Sequence, residues 1–120
     1  YTQKKTGNTS VFYEDLYVYR LILSLSNEND LREFTEDYLG PLLDYDNDSN
    51  GELFETLKVL LEVNGSRKEA AERLFIVRQT LYHRIDKLKE LRGDDFMQGE
   101  KRMALEFAVY VSLFFYINRI

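Results

Sequence analysis

The sequence predicts an all-α fold of about five to six helices, and three observations carry that prediction. Apolar residues recur at helical spacing, as in Leu53, Leu57, Leu60 and Leu61 and again in Leu81, Ile85 and Leu88. Helix stops and caps fall between such segments, at Gly40-Pro41, Asn64-Gly65, Ser66 and Gly93. The chain has 120 residues and 44% hydrophobic content, enough for the core of one domain.

In chain order, residues 1–10 are polar and read as a linker or disordered arm, and residues 11–120 read as a single helical domain. Leu16, Val18, Tyr19, Leu21, Ile22, Leu23 and Leu25 indicate a buried helix over residues 14–25, although its aromatic and β-branched start also suits a strand. Ser26-Asn27 breaks it. Asn29 or Asp30 caps a second helix that runs to Tyr38, with Leu31, Phe34 and Leu39 inward. Gly40-Pro41 ends that helix, because Gly suits the left-handed position past a helix end and Pro cannot extend a helix. Leu42 and Leu43 then pack in a short turn.

Residues 46–51 match the opening of a calcium loop, D-x-[DN]-x-[DN]-G. The twelfth position, which needs a bidentate Glu, is Leu57. The stretch is therefore read as a solvated acidic turn, with Ser49 or Asn50 capping the next helix. That helix spans residues 52–63 and is closed by Asn64-Gly65. Farther on, Arg92-Gly93-Asp94 is a stop, and residues 100–120 form the last helix. It is apolar on nearly all sides but interrupted by Glu106, so it is too short an uncharged run to span a membrane. A helix apolar all round needs cover from several directions. One side faces the domain core. The rest, around Tyr110, Phe114 and Ile117, suits a homodimer contact or another domain of an intact protein.

Between these segments lies NGSRKEAAERLFIVRQTLYHRIDKLKEL, residues 64–91. It reads as two helices joined by a tight turn. Ser66 is the N-cap of the first, and Glu69, three residues on, completes a capping box. Ala70, Ala71 and Leu74 give a small packing face that lets two helices cross closely. Phe75-Ile76-Val77 interrupts the pattern, and the second helix starts at Arg78. This is the plan of a helix-turn-helix over residues 66–91, whose second helix enters the major groove of DNA. The net charge of −5 points away from nucleic acid only on average. Residues 64–92 hold eight basic residues against four acids, whereas residues 1–63 hold five against thirteen. The motif is a basic island in an acidic chain.

The string SRKEAAERLFIVRQTLYHRIDKLKEL resembles the C-terminal helix-turn-helix of the PucR-type bacterial transcription factors (purine catabolism and sugar-diacid regulators). Upstream, FYEDLYVYRLI and LREFTEDYLGPLLDYD resemble the family's preceding segment, and downstream RMALEFAVYV resembles its closing helix. The likeness covers roughly residues 11–115. The motif is also similar to the C-terminal helix pair of the nucleoid protein Fis, factor for inversion stimulation. Val77, Gln79 and Tyr82-His83 depart from the residues usual in the PucR family. The resemblance implies a DNA-binding domain that controls purine or other catabolic genes. It also implies a homodimer on near-palindromic double-stranded DNA, and an N-terminal sensory region in the intact protein.

Geometry and resemblance together nominate the contacting residues. With Leu81, Ile85 and Leu88 inward, the opposite face carries Gln79, His83 and Asp86, flanked by Thr80, Tyr82 and Lys87. Arg78, at the tip, can donate two hydrogen bonds to guanine, and Gln79 can pair with adenine. Tyr82 and His83 face bases or phosphates, and Thr80 suits a phosphate oxygen. Ser66, Arg67 and Lys68 add amide groups and positive charge for the backbone. Arg73 and Arg84 read as structural or phosphate-facing.

Other function classes find little footing. Without Cys there is no disulfide framework or thiolate metal site, and a single His argues against a histidine metal cluster. No nucleophile elbow or Gly-rich phosphate loop is present, so neither enzyme chemistry nor a cofactor is expected. Polar Thr2–Ser10 is no secretory signal, and the expected compartment is the cytoplasm. A start at Tyr1 suggests a piece of a longer protein. The competing reading is a helical protein–protein interaction or dimerisation module without DNA binding.

Overall fold

The computed structural model describes residues 20–22, 24 and 27–118, with nothing said of the side chains of 117 and 118. The expected arm over residues 1–10, most of the first expected helix and the Ile117 side chain lie outside this description. Residues 20–22 and 24 are helical. Five helices follow: α1 (Glu28–Ser49), α2 (Leu53–Glu62), α3 (Arg67–Leu74), α4 (Arg78–Arg92) and α5 (Gly99–Asn118). The described residues are all-α, with no strand among them.

Helix α2 is the hub. It has ten residues, six of them buried, and it packs against α1, α3, α4 and α5. A helix with apolar residues on most sides has to be enclosed by neighbours. Its Leu57, Leu60 and Leu61 join Leu39 and Leu42 of α1, Leu81, Ile85 and Leu88 of α4, and Leu105 and Ala108 of α5 in the main core. A second cluster forms where Ile22 and Leu31 meet Val111, with Phe107, Tyr110, Phe114 and Phe115 packed around them. Tyr110 and Phe114, two of the three residues suggested for contact with a partner chain, are thus half-buried within this chain. Phe34 links the two regions, 4.8 Å from the ring of Tyr38 and 5.5 Å, edge-on, from that of Phe107.

Helix α1 departs most from expectation. Its cap is Asn27, not Asn29 or Asp30: the Asn27 side chain accepts the Asp30 N–H at 2.9 Å. The helix does not end at Gly40-Pro41 but passes through both and continues for eight residues beyond Pro41. A proline inside a helix removes one hydrogen bond and disfavours the helix by about 3 kcal/mol. Leu39 and Leu42 flank the pair and are fully buried. Each buried leucine contributes about 1.5–3 kcal/mol, so packing outweighs the local preference. Leu42 and Leu43 are therefore helical, not in a turn.

The stretch read as an acidic turn is likewise the last part of α1, which ends at Asn50 in the left-handed conformation (φ 53°). Neither Ser49 nor Asn50 caps α2. The Asp46 carboxylate does so from the preceding helix, accepting the N–H groups of Leu53 (2.8 Å) and Phe54 (3.0 Å). The chain turns between the two helices at Gly51, where a Cβ would lie 2.7 Å from the Tyr45 ring.

A corner at residues 93–98 joins α4 to α5 and buries Phe96. Lys101 fastens it, donating to the Arg92 carbonyl (3.0 Å) and to Asp95 (2.8 Å). That ammonium holds the Asp95 carboxyl below its ordinary value. The contact is therefore complete at neutral pH and is lost only as acidification takes the solution below the usual carboxylate range.

Asp46 supplies two charged hydrogen bonds at the start of the hub helix. Asp46→Ala is expected to lower stability by about 1–2 kcal/mol, read as a lower urea midpoint with an unchanged slope.

Candidate nucleic-acid interface

The helix pair α3–α4 is shaped by its turns. Asn64 (φ 56°) and Gly65 (φ 82°) are both left-handed, and the Gly65 N–H closes α2 on the Leu60 carbonyl at 2.8 Å. Ser66 then caps α3, its hydroxyl accepting the Glu69 N–H at 3.3 Å. The reciprocal half of the expected capping box is not formed. The Ser66 N–H donates to the Val63 carbonyl (3.1 Å), which the Asn64-Gly65 turn brings into reach. Phe75 ends α3 in the left-handed region (φ 57°), with the N–H groups of Phe75 and Ile76 returned to Glu72 and Ala71.

The crossing of α3 and α4 rests on Ala70, which is fully buried, and on Leu81, Ile85 and Leu88. A small side chain at the crossing lets the two backbones approach. Arg84 pins α4 to α2: its guanidinium donates to the buried Thr56 hydroxyl (3.3 Å) and lies 3.6 Å from Glu52. Thr56 in turn donates to the Glu52 carbonyl, so this buried hydroxyl is satisfied. From α5, Arg102 donates to the Asn64 side chain at 2.7 Å and to the Leu61 carbonyl at 3.4 Å, holding the entry to α3.

With that seam inward, Arg78, Gln79, Thr80, Tyr82 and His83 are all exposed along the outer side of α4's first two turns. Arg67 and Lys68 are exposed at the start of α3, next to half-buried Ser66. Arg67 lies 5.0 Å above the Tyr82 ring, so the two helices share one surface there. Lys87 stands apart: it is half-buried, 3.2 Å from Glu90 and 5.0 Å from the Tyr45 ring of α1. Among the described residues, Arg67, Lys68, Arg78 and Lys89 form no ion pair, whereas Arg73 is 3.2 Å from Glu62. Lys89 was not singled out by sequence, although its spacing from Arg78 and Tyr82 puts it on their side of the helix. Two apolar side chains are also exposed at the turn: Phe75 (93%) and Val77 (67%), the latter as the N-cap residue of α4.

Among the described residues, no helix is long and apolar enough to cross a membrane, and no group of His, Asp and Glu is placed to hold a metal ion.

Comparison with known proteins puts this geometry in a family. Residues 53–111 match the model of the PucR C-terminal helix-turn-helix domain. The chain is 34% identical over 93 residues to the proline-responsive transcriptional activator PutR of Bacillus subtilis, covering 78% of this chain and 23% of that protein. It is 32% identical over 88 residues to the purine catabolism regulatory protein of the same organism, covering 73% of this chain and 16% of that protein. The chain thus spans less than a quarter of either relative. No solved structure matches it.

Phe75 is strained and buries little. Phe75→Gly removes the left-handed penalty, and thermal or urea unfolding is expected to show a gain of about 0.5–1 kcal/mol.

Proposed function

Residues 53–111 are a PucR C-terminal helix-turn-helix domain, the DNA-binding module of transcriptional regulators and not an enzyme domain, and from that premise we propose that α4 reads operator DNA in the major groove. The observation that carries this reading is the selective pairing of the motif's cations. Arg73, Arg84 and Lys87 have acidic partners in Glu62, Glu52 and Glu90. Arg67, Lys68 and Arg78, at the starts of α3 and α4, have none among the described residues and stand beside exposed Gln79, Thr80, Tyr82 and His83. A surface meant only for solvent gains nothing from leaving three cations unpaired at the starts of two packed helices, whereas phosphate attracts them.

The roles follow from reach and chemistry. Arg78 offers two donors to guanine O6 and N7, and Gln79 a donor and an acceptor to adenine. Ser66, Arg67, Lys68 and Thr80 face the backbone, and Tyr82 and His83 lie at the groove wall. Lys87 is a peripheral phosphate contact. Asp86 and Glu90 continue the outer face beyond His83 and are exposed. They would meet phosphates if α4 lay flat along the groove, so the helix enters by its N-terminal tip. Two chains then place their α4 helices in successive grooves about 34 Å apart on a near-palindrome. The remaining surface of α5 is the surface assigned to dimer contact. An N-terminal sensory region of the intact protein answers a small metabolite, in a cytoplasmic regulator of purine or other catabolic genes. The two relatives are named for proline and for purines and both match most of this chain, which supports placing the choice of metabolite outside this domain.

The test is binding to duplex DNA with salt varied between about 50 and 200 mM. Affinity is expected to fall steeply with salt. Arg78→Ala should weaken the preferred site by about 1–3 kcal/mol and relax its sequence preference. Lys68→Ala should weaken all sequences alike and reduce the salt slope by about one. Salt-independent binding, or no binding, favours a protein–protein module instead.

A further inference from the structure

Resting on the DNA-binding reading, we infer that Val77 is a specificity residue, whose side chain contacts the C5-methyl group of a thymine in the operator. Three observations converge on it. First, Val77 occupies the N-cap of α4, where its carbonyl accepts the Leu81 N–H, yet it makes no side-chain cap. Ser, Thr, Asp and Asn are strongly preferred there because their oxygen accepts a free amide of the first turn. The preceding helix follows that rule with Ser66, so the fold can build such a cap two turns away. A local rule broken at the working end of a helix, with no packing gain to offset it, is the signature of a residue kept for contact. Second, the position gives no packing gain: Val77 is 67% exposed, while its neighbour Ile76 is half-buried against the core. Third, Val77 directly precedes Arg78 and Gln79, the two side chains equipped for base edges. If those reach guanine and adenine, the residue one step before them stands at the same tip of the helix that enters the groove. Of the groups a base pair presents in the major groove, the thymine methyl is the one an aliphatic side chain can recognise.

Phe75, more exposed still, does not share the assignment. It belongs to the end of α3, two residues from the tip, and its backbone is turned into the left-handed region.

The experiment selects duplexes from a random-sequence pool with the 120-residue chain, then replaces each thymine of the preferred duplex singly by deoxyuridine, which removes only the methyl group. The unaltered protein should lose about fourfold in affinity at one thymine per half-site, the loss expected for exposing one methyl-sized group. Val77→Ser should show no such loss at that thymine, and should bind the deoxyuridine duplex as the unaltered protein does. The same variant should melt at higher temperature, since Ser restores the missing cap, so lost discrimination cannot be put down to misfolding. Deoxyuridine without effect at every position overturns the inference. So does a methyl penalty that survives undiminished in Val77→Ser at every sensitive thymine. Either result leaves the DNA-binding reading standing. A pool that yields no preferred duplex overturns sequence-specific reading itself, and the inference with it.

Discussion

The outward face of α4 exists because its inward face has nowhere else to go. Leu81, Ile85 and Leu88 are set against α2, itself enclosed by four helices, so neither rotation nor sliding of α4 is possible without exposing leucine. Aliphatic packing alone is weakly directional. The bond from Arg84 to buried Thr56 adds what packing lacks, a fixed register between α2 and α4. Ala70 then sets how closely α3 can cross. The surface formed by Arg67, Arg78, Gln79, Tyr82 and His83 is the remainder, presented as a rigid unit on two short helices.

Charge is divided by the same architecture. Glu52, at the N-cap of the hub helix, and Glu62, its last residue, engage Arg84 and Arg73, the motif's cations that face back toward the domain. Asp46 is taken up at the start of the hub helix. These three acids thus stabilise a helix start and the rear of the motif. The cations at the two N-termini are left uncompensated, where the helix dipoles add to their field. A net negative protein can present a locally positive surface in this way.

Much of this was legible in the sequence, and the parts that were not share a cause. The helix-turn-helix could be read because its signals are local: Ser66 three residues before Glu69, the left-handed Asn64-Gly65, the spacing of Leu81, Ile85 and Leu88. The exposure of Gln79 and His83 follows from that spacing alone, and that of Arg78 from its place at the tip. What could not be read depends on neighbours distant in sequence. Asp46 looks like an acidic turn until Leu53 and Phe54 are folded back onto it. Lys87 belongs to the exposed flank by angle, but Tyr45 of α1 draws it aside. Tyr110 and Phe114 look unpartnered until Ile22 and Leu31 arrive. The absent half of the capping box is a smaller case, decided by which carbonyl the preceding turn delivers to the Ser66 amide.

The passage of α1 through Gly40-Pro41 bears on how the domain comes together. As a separate peptide this segment would break in the middle, since Gly and Pro together disfavour the helix by about 4 kcal/mol and a lone helix has little in reserve. Its continuity is supplied by Leu39 and Leu42, which are buried in the core around α2. The longest helix among the described residues therefore owes its continuity to tertiary packing and not to local preference.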